Sequence, residues 1–578
     1  MQYAKRRRSL IGLIFAGLIV AGIAIAQDVP DELRLRNGTV LKGRVVDVDR
    51  NTVTFRADDG VKEYKRSDVY AIFFSGEQVA EGEFPPGFSA KPPLKLKRVI
   101  TFHQITSNKV ADQKKFEPDV AKISANGEKI AFWSRGSGLY SINSDGTGQT
   151  LVWANNNDHN AVQADRFELS PDGKVIYWET PSYGAIRRVN ADGTNMKTLV
   201  NSGAEYEPLR LRQAGKRIFF GSRAGIFSID TDGNGDYRTI IDPKKVGQLE
   251  DMDPNDNTGR TFLQAFDVSE DGSRMVFTIY DSKAKMRQLA AINTNGTGFR
   301  NLTKTDFEPG YLSMTPDGNQ IVFWKAAEKA FLINWDGTGL RELPIPIWDA
   351  NAPSFQHLDR FTPDSKSFAY EGGEAGGGPK ILRMDNLEFY EPTNIGRLDY
   401  FAEAMFQGMF PPSYSSDQRR FATISQFFAP ARPRQLIVGD VNPRSADAIP
   451  VLSDIEFPDV LSINPQLPTH SGQIKVRAKP GTGDIQRVWF LLTPDVGKNQ
   501  GRPDRWVKDM GWWALDGNHI AHDDGKDGDA VKGDGIFTGT LTADAGDSKV
   551  LPGRYTLRIV AHDDLNAVIV DVDGIEIK

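Results

Sequence analysis

Cysteine does not occur anywhere in the 578 residues. Its absence excludes disulfides, thiol nucleophiles, thiolate metal sites and an N-terminal lipid-modified cysteine, so the folded parts must be held by apolar cores alone. Long apolar runs are equally scarce. After residue 26 no uncharged apolar stretch reaches the roughly eighteen residues a membrane-spanning helix needs. Charge of one sign is lacking too: 70 Lys and Arg stand against 76 Asp and Glu, for a formal net charge of −6. A nucleic-acid partner would favour a basic face, and none is expected here. No G-x-S-x-G elbow is written, so the serine-hydrolase route has no nucleophile motif. Histidine is sparse, with seven scattered copies. His519 and His522 lie three apart, but neighbouring Gly and Asp place them in a loop rather than on a metal-binding helix.

What the chain does have begins with an address. Lys5-Arg6-Arg7-Arg8 is a basic n-region, Leu10 to Ala26 is uncharged and mostly apolar, and Ala24-Ile25-Ala26 is an A-x-A cleavage site. Residues 1–26 therefore read as a signal peptide, placing the protein in the periplasm or outside the cell. Cleavage would remove four positive charges and take the formal −6 to −10. Arg7-Arg8-Ser9-Leu10-Ile11 resembles a twin-arginine signal, so export by the general secretory route or by the twin-arginine route both stay open. An uncleaved anchor is the one membrane attachment the sequence offers.

Residues 30–75 alternate apolar and polar, with Val40, Val45, Val48, Val53 and Phe55 interrupted by turns at Asn37-Gly38 and Asp59-Gly60. Five short strands in a small barrel fit that spacing. The stretch resembles an Sm-like or Src-homology-type barrel, which implies a docking module. Residues 76–98 contain Pro85-Pro86 and Pro92-Pro93 and are expected to be an extended linker.

Between 99 and 454 the chain repeats itself. LYSINSDGTGQTLV from Leu139 returns as IRRVNADGTNMKTLV from Ile186. Each repeat has a strand entering a corner, as in ELSPDGKVIYW (Glu168 to Trp178), then a second strand, a third ending in an Asp-Gly-Thr hairpin, and a fourth. Corners stand at Asn126-Gly127, Asp172-Gly173, Ala214-Gly215, Asp271-Gly272, Asp317-Gly318, Asp364-Ser365 and Asp417-Gln418. Hairpins stand at Asp145-Gly146, Asp192-Gly193, Asp232-Gly233, Asn295-Gly296 and Asp336-Gly337, with a worn copy at Asp385-Asn386. Asn, Asp and Gly tolerate the positive φ expected at the centre of a tight hairpin. A four-stranded unit cannot bury both faces of its sheet alone, so the units must pack on one another. Repeats of this length with four strands predict a β-propeller. Seven blades are counted, or six if the seventh repeat serves as a cap. Period-two alternation excludes a helical solenoid. Arg98 to Thr106 is a candidate strand for completing the last blade.

The SPDGK corner, the IYW or IVFW strand and the DGT hairpin resemble the TolB-type propeller repeat, also found in prolyl-oligopeptidase-type proteins. That resemblance implies the propeller fold but no particular task. TolB has six blades and a different N-terminal domain, so its partners do not transfer. The whole is an all-β protein.

From 455 to 578 the strands alternate without a repeat, which predicts an immunoglobulin-like β-sandwich. Within it HDDGKDGDAVKGDGIFTG crowds carboxylates, and Asp523, Asp527, Asp529 and Asp534 are the candidate ligands of a Ca²⁺ ion. The loop is not an EF-hand, because Gly525 occupies a ligand position and no helices flank it. It resembles a motif of bacterial immunoglobulin-like adhesion modules. DTDGNG, with Asp230, Asp232 and Asn234, matches half a calcium loop but coincides with a blade hairpin. The insertion at 242–260 is acidic and reads as a solvated loop. Two functional readings follow. The first is an exported, non-enzymatic scaffold whose propeller face binds a protein or peptide in the cell envelope. The second is a secreted polysaccharide-binding or polysaccharide-degrading protein, using Trp506, Trp512 and Trp513 to stack on sugar and an acidic pair on the propeller.

Overall fold

The structure, a computed structural model, describes most of residues 31–73 and 84–578; the longest stretches outside the description are 1–30, 74–83, 107–116, 155–166, 202–209, 243–264, 344–359, 385–405, 495–519 and 543–552. The signal sequence and its cleavage site therefore lie outside the described residues. So do the acidic insertion after Asp242, His519 and all three of Trp506, Trp512 and Trp513. Among the described residues no helix is long and apolar enough to cross a membrane.

Two compact units are present, one up to Glu81 and one from Gly82 on. The first is a single antiparallel sheet of five strands (Asp31–Leu35, Val40–Val48, Thr52–Ala57, Gly60–Lys65 and Val69–Phe73). The first four form a meander and the fifth returns to pair with the first. Phe55 is buried in it.

The second unit contains the propeller. Its first sheet is a meander of Glu117–Ile123, Lys129–Arg135, Gly138–Asn143 and Thr150–Ala154, and four more four-stranded sheets and one three-stranded sheet repeat the pattern. The seventh consists of Ser413–Tyr414, Arg420–Phe427, Gln435–Val441 and, from the other side of the propeller sequence, Lys95–Gln104. Period-two alternation sends successive side chains toward opposite neighbours. Thus Trp133 packs with Phe167, Ile176 and Trp178 of the second sheet, while the adjacent Phe132 packs with Ala422, Ile424, Leu436 and Val438 of the seventh. Comparable apolar cores join the second sheet to the third, and so on to the sixth. Each fully buried aromatic or branched side chain in these seams contributes about 1.5–3 kcal/mol. Apolar seams thus join the seventh sheet to the first and onward to the sixth, and the circular arrangement shows in one cavity that all seven sheets line.

The sandwich packs a three-stranded sheet (Val451–Glu456, Ser471–Lys479, Ile536–Thr542) on a second sheet containing Arg487–Pro494, Gly553–His562 and Asn566–Ile577. That second sheet does not stop at the sandwich. Asn566–Ile577 pairs with Lys95–Gln104, which on its other edge pairs with Gln435–Val441 of the seventh blade. One continuous sheet therefore runs from propeller to sandwich through a shared strand. Val99 of that strand enters the sandwich core, while Ile100 and Phe102 join Phe421 and Ile437 of the blade.

The expected linker over 76–98 needs correction in its described part. Phe88 and Leu94 are buried in the sandwich core, and the backbone of Ser89 and Lys91 bonds to Ile455. The paired prolines punctuate a segment bound to the sandwich, because its two apolar side chains have a core to enter.

Candidate functional site: the axial cavity

Each corner is built by one short piece of chemistry. In Ser170-Pro171-Asp172-Gly173 the Ser170 hydroxyl donates to Asp172 Oδ1 (2.7 Å) and accepts from the Val175 N–H (2.9 Å), while Asp172 accepts from the Lys174 N–H (3.1 Å). Gly173, at φ 72°, closes the turn by donating to the Ser170 carbonyl. The same bonds recur at Ser269/Asp271, Thr362/Asp364 and Ser415/Asp417. The first corner uses Asn126 in place of Asp. Corners also bond to one another: Asn126 N–H to the Pro171 carbonyl, Gly215 to Glu270, Glu270 to Pro316, and Ser416 back to Ala125.

These corners hold the innermost strand of every sheet against one cavity of about 390 Å³, to which all seven sheets contribute lining residues. Around its mouth stand Pro171, Glu270, Pro316, Pro363 and Ser416; below them come Leu169, Gln213, Val268, Met314, Phe361 and Tyr414. An innermost strand is a sheet edge, with one row of backbone donors and acceptors facing the cavity. The position just below that apolar tier is Lys122, Glu168, Arg212, Asp267, Ser313, Arg360 and Ser413, each opposite the equivalent residue of its second strand.

This tier serves the open edges and pairs with itself. Lys122 Nζ lies 3.0 Å from Glu168 Oε1 and donates to the Phe167 carbonyl at 2.6 Å. Arg212 reaches Glu168 at 3.3 Å and Asp267 at 2.9 Å. Asp267 Oδ2 accepts from the Met314 N–H of the fifth sheet at 2.9 Å, and Ser413 Oγ accepts from the Ile123 N–H of the first at 3.1 Å. Burial works against the Arg212 charge, but Asp267 and Glu168 overcome it and hold the guanidinium above its ordinary range. The cavity thus has a charged arc over the first four blades, closed on itself. From the last three blades the described lining includes Ser313, Phe361, Thr362, Ser413 and Tyr414. Glu168 and Asp267 share one arginine, an arrangement that orients strands rather than presenting a free acid and base.

Sequence reading did not single out this tier. The available signal was positional: it is the residue two places before the Ser or Thr of six corners, and before Ala214 in the third.

In the Asp-rich loop, Asp523, Asp529 and Asp534 each bring a carboxylate oxygen within 4.8 Å of the others, whereas Asp527 stands apart, in a left-handed conformation at φ 49°. Asp523 accepts from the N–H groups of Gly533, Asp534 and Gly535, and Asp529 from Gly525. Backbone donors therefore supply part of the compensation these carboxylates need. At the half calcium pattern, Asp230 pairs with Arg217 and Asn234 donates to Asp232, as a hairpin reading requires. His522 is bonded through its backbone to Thr538.

No protein-family model matches the chain, and no curated protein matches it. Solved structures do. A putative TolB from Agrobacterium tumefaciens is 15% identical, with 43% of this chain and 88% of that one covered and a TM-score of 0.28. A nidogen/laminin complex is 13% identical, covering 61% and 100%, with a TM-score of 0.30. An oligogalacturonate lyase in complex with manganese is 13% identical, covering 61% and 98%, with a TM-score of 0.37. Likeness at this level carries no partner or activity across; the all-β propeller architecture rests on the sheets and seams described above.

Proposed function

We propose that this protein is an exported, non-enzymatic binding scaffold of the cell envelope, whose axial cavity receives a segment of a protein partner. The observation that carries the reading is the tier Lys122–Glu168–Arg212–Asp267, which ties neighbouring strand edges together and closes its charges on itself. Such a wall offers a rigid, shaped mouth, and its Glu168 and Asp267 are committed to Arg212 rather than set as the acid and base that hydrolysis of a polysaccharide needs. The continuous sheet through Lys95–Gln104 makes the sandwich a fixed extension of the propeller, suited to orient it in the envelope.

The test is site-specific cross-linking in the producing cell. A photoreactive side chain at Gln213, on the cavity wall, is expected to capture one discrete envelope protein. The same group at Val531, exposed on the Asp-rich loop, is expected to capture none of it. Equal capture from both positions, or none from Gln213, overturns the reading.

A further inference from the structure

Asn-Gly is written four times, at Asn37-Gly38, Asn126-Gly127, Asn234-Gly235 and Asn295-Gly296. Glycine leaves the backbone nitrogen after asparagine unhindered, so each pair has the intrinsic chemistry for losing its side-chain amide. The first lies outside the described residues. The other three are exposed asparagines in well-defined turns, and their surroundings differ in a way that decides which one reacts.

At Asn295 the carbonyl oxygen Oδ1 accepts two hydrogen bonds, from the Thr297 N–H at 3.0 Å and the Thr297 hydroxyl at 2.7 Å. Asn293 Nδ2 donates to that hydroxyl and orients it. Donors at these distances stabilise an oxyanion developing on the amide carbon. Nothing approaches the side of Gly296 where a Cβ would stand, so water reaches the turn. At Asn234 the arrangement is reversed: Nδ2, the group that would leave, donates to the Asp232 carboxylate at 2.6 Å, and a new carboxylate would face Asp232. Asn126 Oδ1 also accepts two bonds, from the Ser124 hydroxyl at 2.6 Å and the Glu128 N–H at 3.2 Å, but its Nδ2 donates to Glu128 at 2.9 Å and Gly127 is packed against Ser415 and Arg420 of the seventh blade.

We propose that Asn295 is a self-modification site, at which the fourth blade's hairpin promotes conversion of its own Asn-Gly to Asp-Gly while Asn126 and Asn234 are held as amides. The Gly296 nitrogen gives up its proton to solvent and bonds to Asn295 Cγ; the Cγ–Nδ2 bond breaks and ammonia leaves. Water then opens the succinimide at Cγ to give aspartate. Opening at the main-chain carbonyl would give isoaspartate, with a longer backbone between Asn293 and Thr297. Before attack the Gly296 N–H must release the Asn293 carbonyl (2.9 Å), a requirement Gly127 shares through Ser124, so it does not separate those two sites. The aspartate product has a prepared place. Asp145, Asp192 and Asp336 occupy the equivalent turn position and accept the same two bonds from Thr147, Thr194 and Thr338. Those threonine bonds hold their carboxyls below the usual range.

The experiment ages the full-length folded protein in mildly alkaline buffer and maps peptides by mass spectrometry, resolving asparagine, aspartate and isoaspartate. Asn295 is expected to convert several-fold faster than Asn126 or Asn234. Thr297→Val should bring it down to their rate, and Thr297→Ser should restore it, with melting curves confirming that both variants fold. In urea the three sites should converge, since they share the dipeptide. Conversion of Asn126 or Asn234 as fast as Asn295 in the folded protein, or no effect of Thr297→Val, would overturn the assignment.

Discussion

A single hydroxyl or carboxylate repeatedly decides the local geometry. The Asp-Gly pairs were expected to supply positive φ at both turn centres, but in the hairpins Gly146, Gly193, Gly296 and Gly337 take it alone. The preceding residue instead binds the threonine two places on. Turn chemistry of this kind is legible in sequence because donor and acceptor are two residues apart. The pairing of Lys122 with Glu168, or Arg212 with Asp267, is not, because it depends on the register of separate strands. His562 is a further buried group that pattern alone does not mark. Burial against the edge of Trp489 pushes its imidazole down to about 4, helped by Arg487 and opposed by the Asp563 carbonyl, to which Nδ1 bonds, and by the Asp563 and Asp564 charges. Above its ordinary value near 6.5 both folded and unfolded histidine are neutral and stability is unaffected. As pH falls from there toward 4 the unfolded chain takes the proton first, so the folded state loses stability, up to on the order of 3 kcal/mol. Urea unfolding at a series of pH values should show that loss in the wild type and not in His562→Gln; parallel curves would refute it.

Among elements, Lys95–Gln104 has the widest consequence. A strand at Arg98 to Thr106 was legible from its alternating apolar residues, and so was its candidacy for the last blade. Its second partner was not, because Asn566–Ile577 lies more than four hundred residues away and no local pattern announces which edge a strand will meet. The Asp-rich loop teaches the complementary point. Its composition suggested four ligands, yet only Asp523, Asp529 and Asp534 converge, since the turn at Asp527 directs that residue elsewhere. At the centre of the shared strand Thr101 sits opposite both Asp440 of the blade and Val568 of the sandwich. Proline there removes a ladder donor and crowds the neighbouring backbone in a strand flanked on both sides, a position sheets do not tolerate. Thr101→Pro should therefore weaken propeller and sandwich together, read as a common drop in urea midpoint for tryptophan fluorescence and for hydrogen exchange in each part. Loss of protection confined to one part would sink this account.

At the scale of the molecule, closure distinguishes a ring from a row of repeats. The repeats were countable in sequence, but Ile130 and Phe132 meet Leu436 and Val438 across three hundred residues, and all seven sheets face one cavity, which only the assembled structure displays. A still longer span of sequence, 473 residues, separates Arg98 from Asp571 at the junction. Arg98 and Arg558 both bond the buried Asp571 carboxylate, at 2.6 and 2.7 Å. Burial would raise that carboxyl, yet the two guanidinium groups hold it well below the ordinary range. Propeller and sandwich thus share a sheet, a strand and an ion cluster, and they should melt as one cooperative body by calorimetry. The five-stranded unit ending at Glu81 is a compact unit of its own and is expected to melt separately. Asp571→Asn leaves the buried Arg558 and the half-buried Arg98 short of their counter-charge, a loss of about 3–5 kcal/mol. If the two modules are one body, that substitution at the junction lowers the single large transition without splitting it. If they were joined only in series, it would shift the sandwich transition and leave the propeller transition in place.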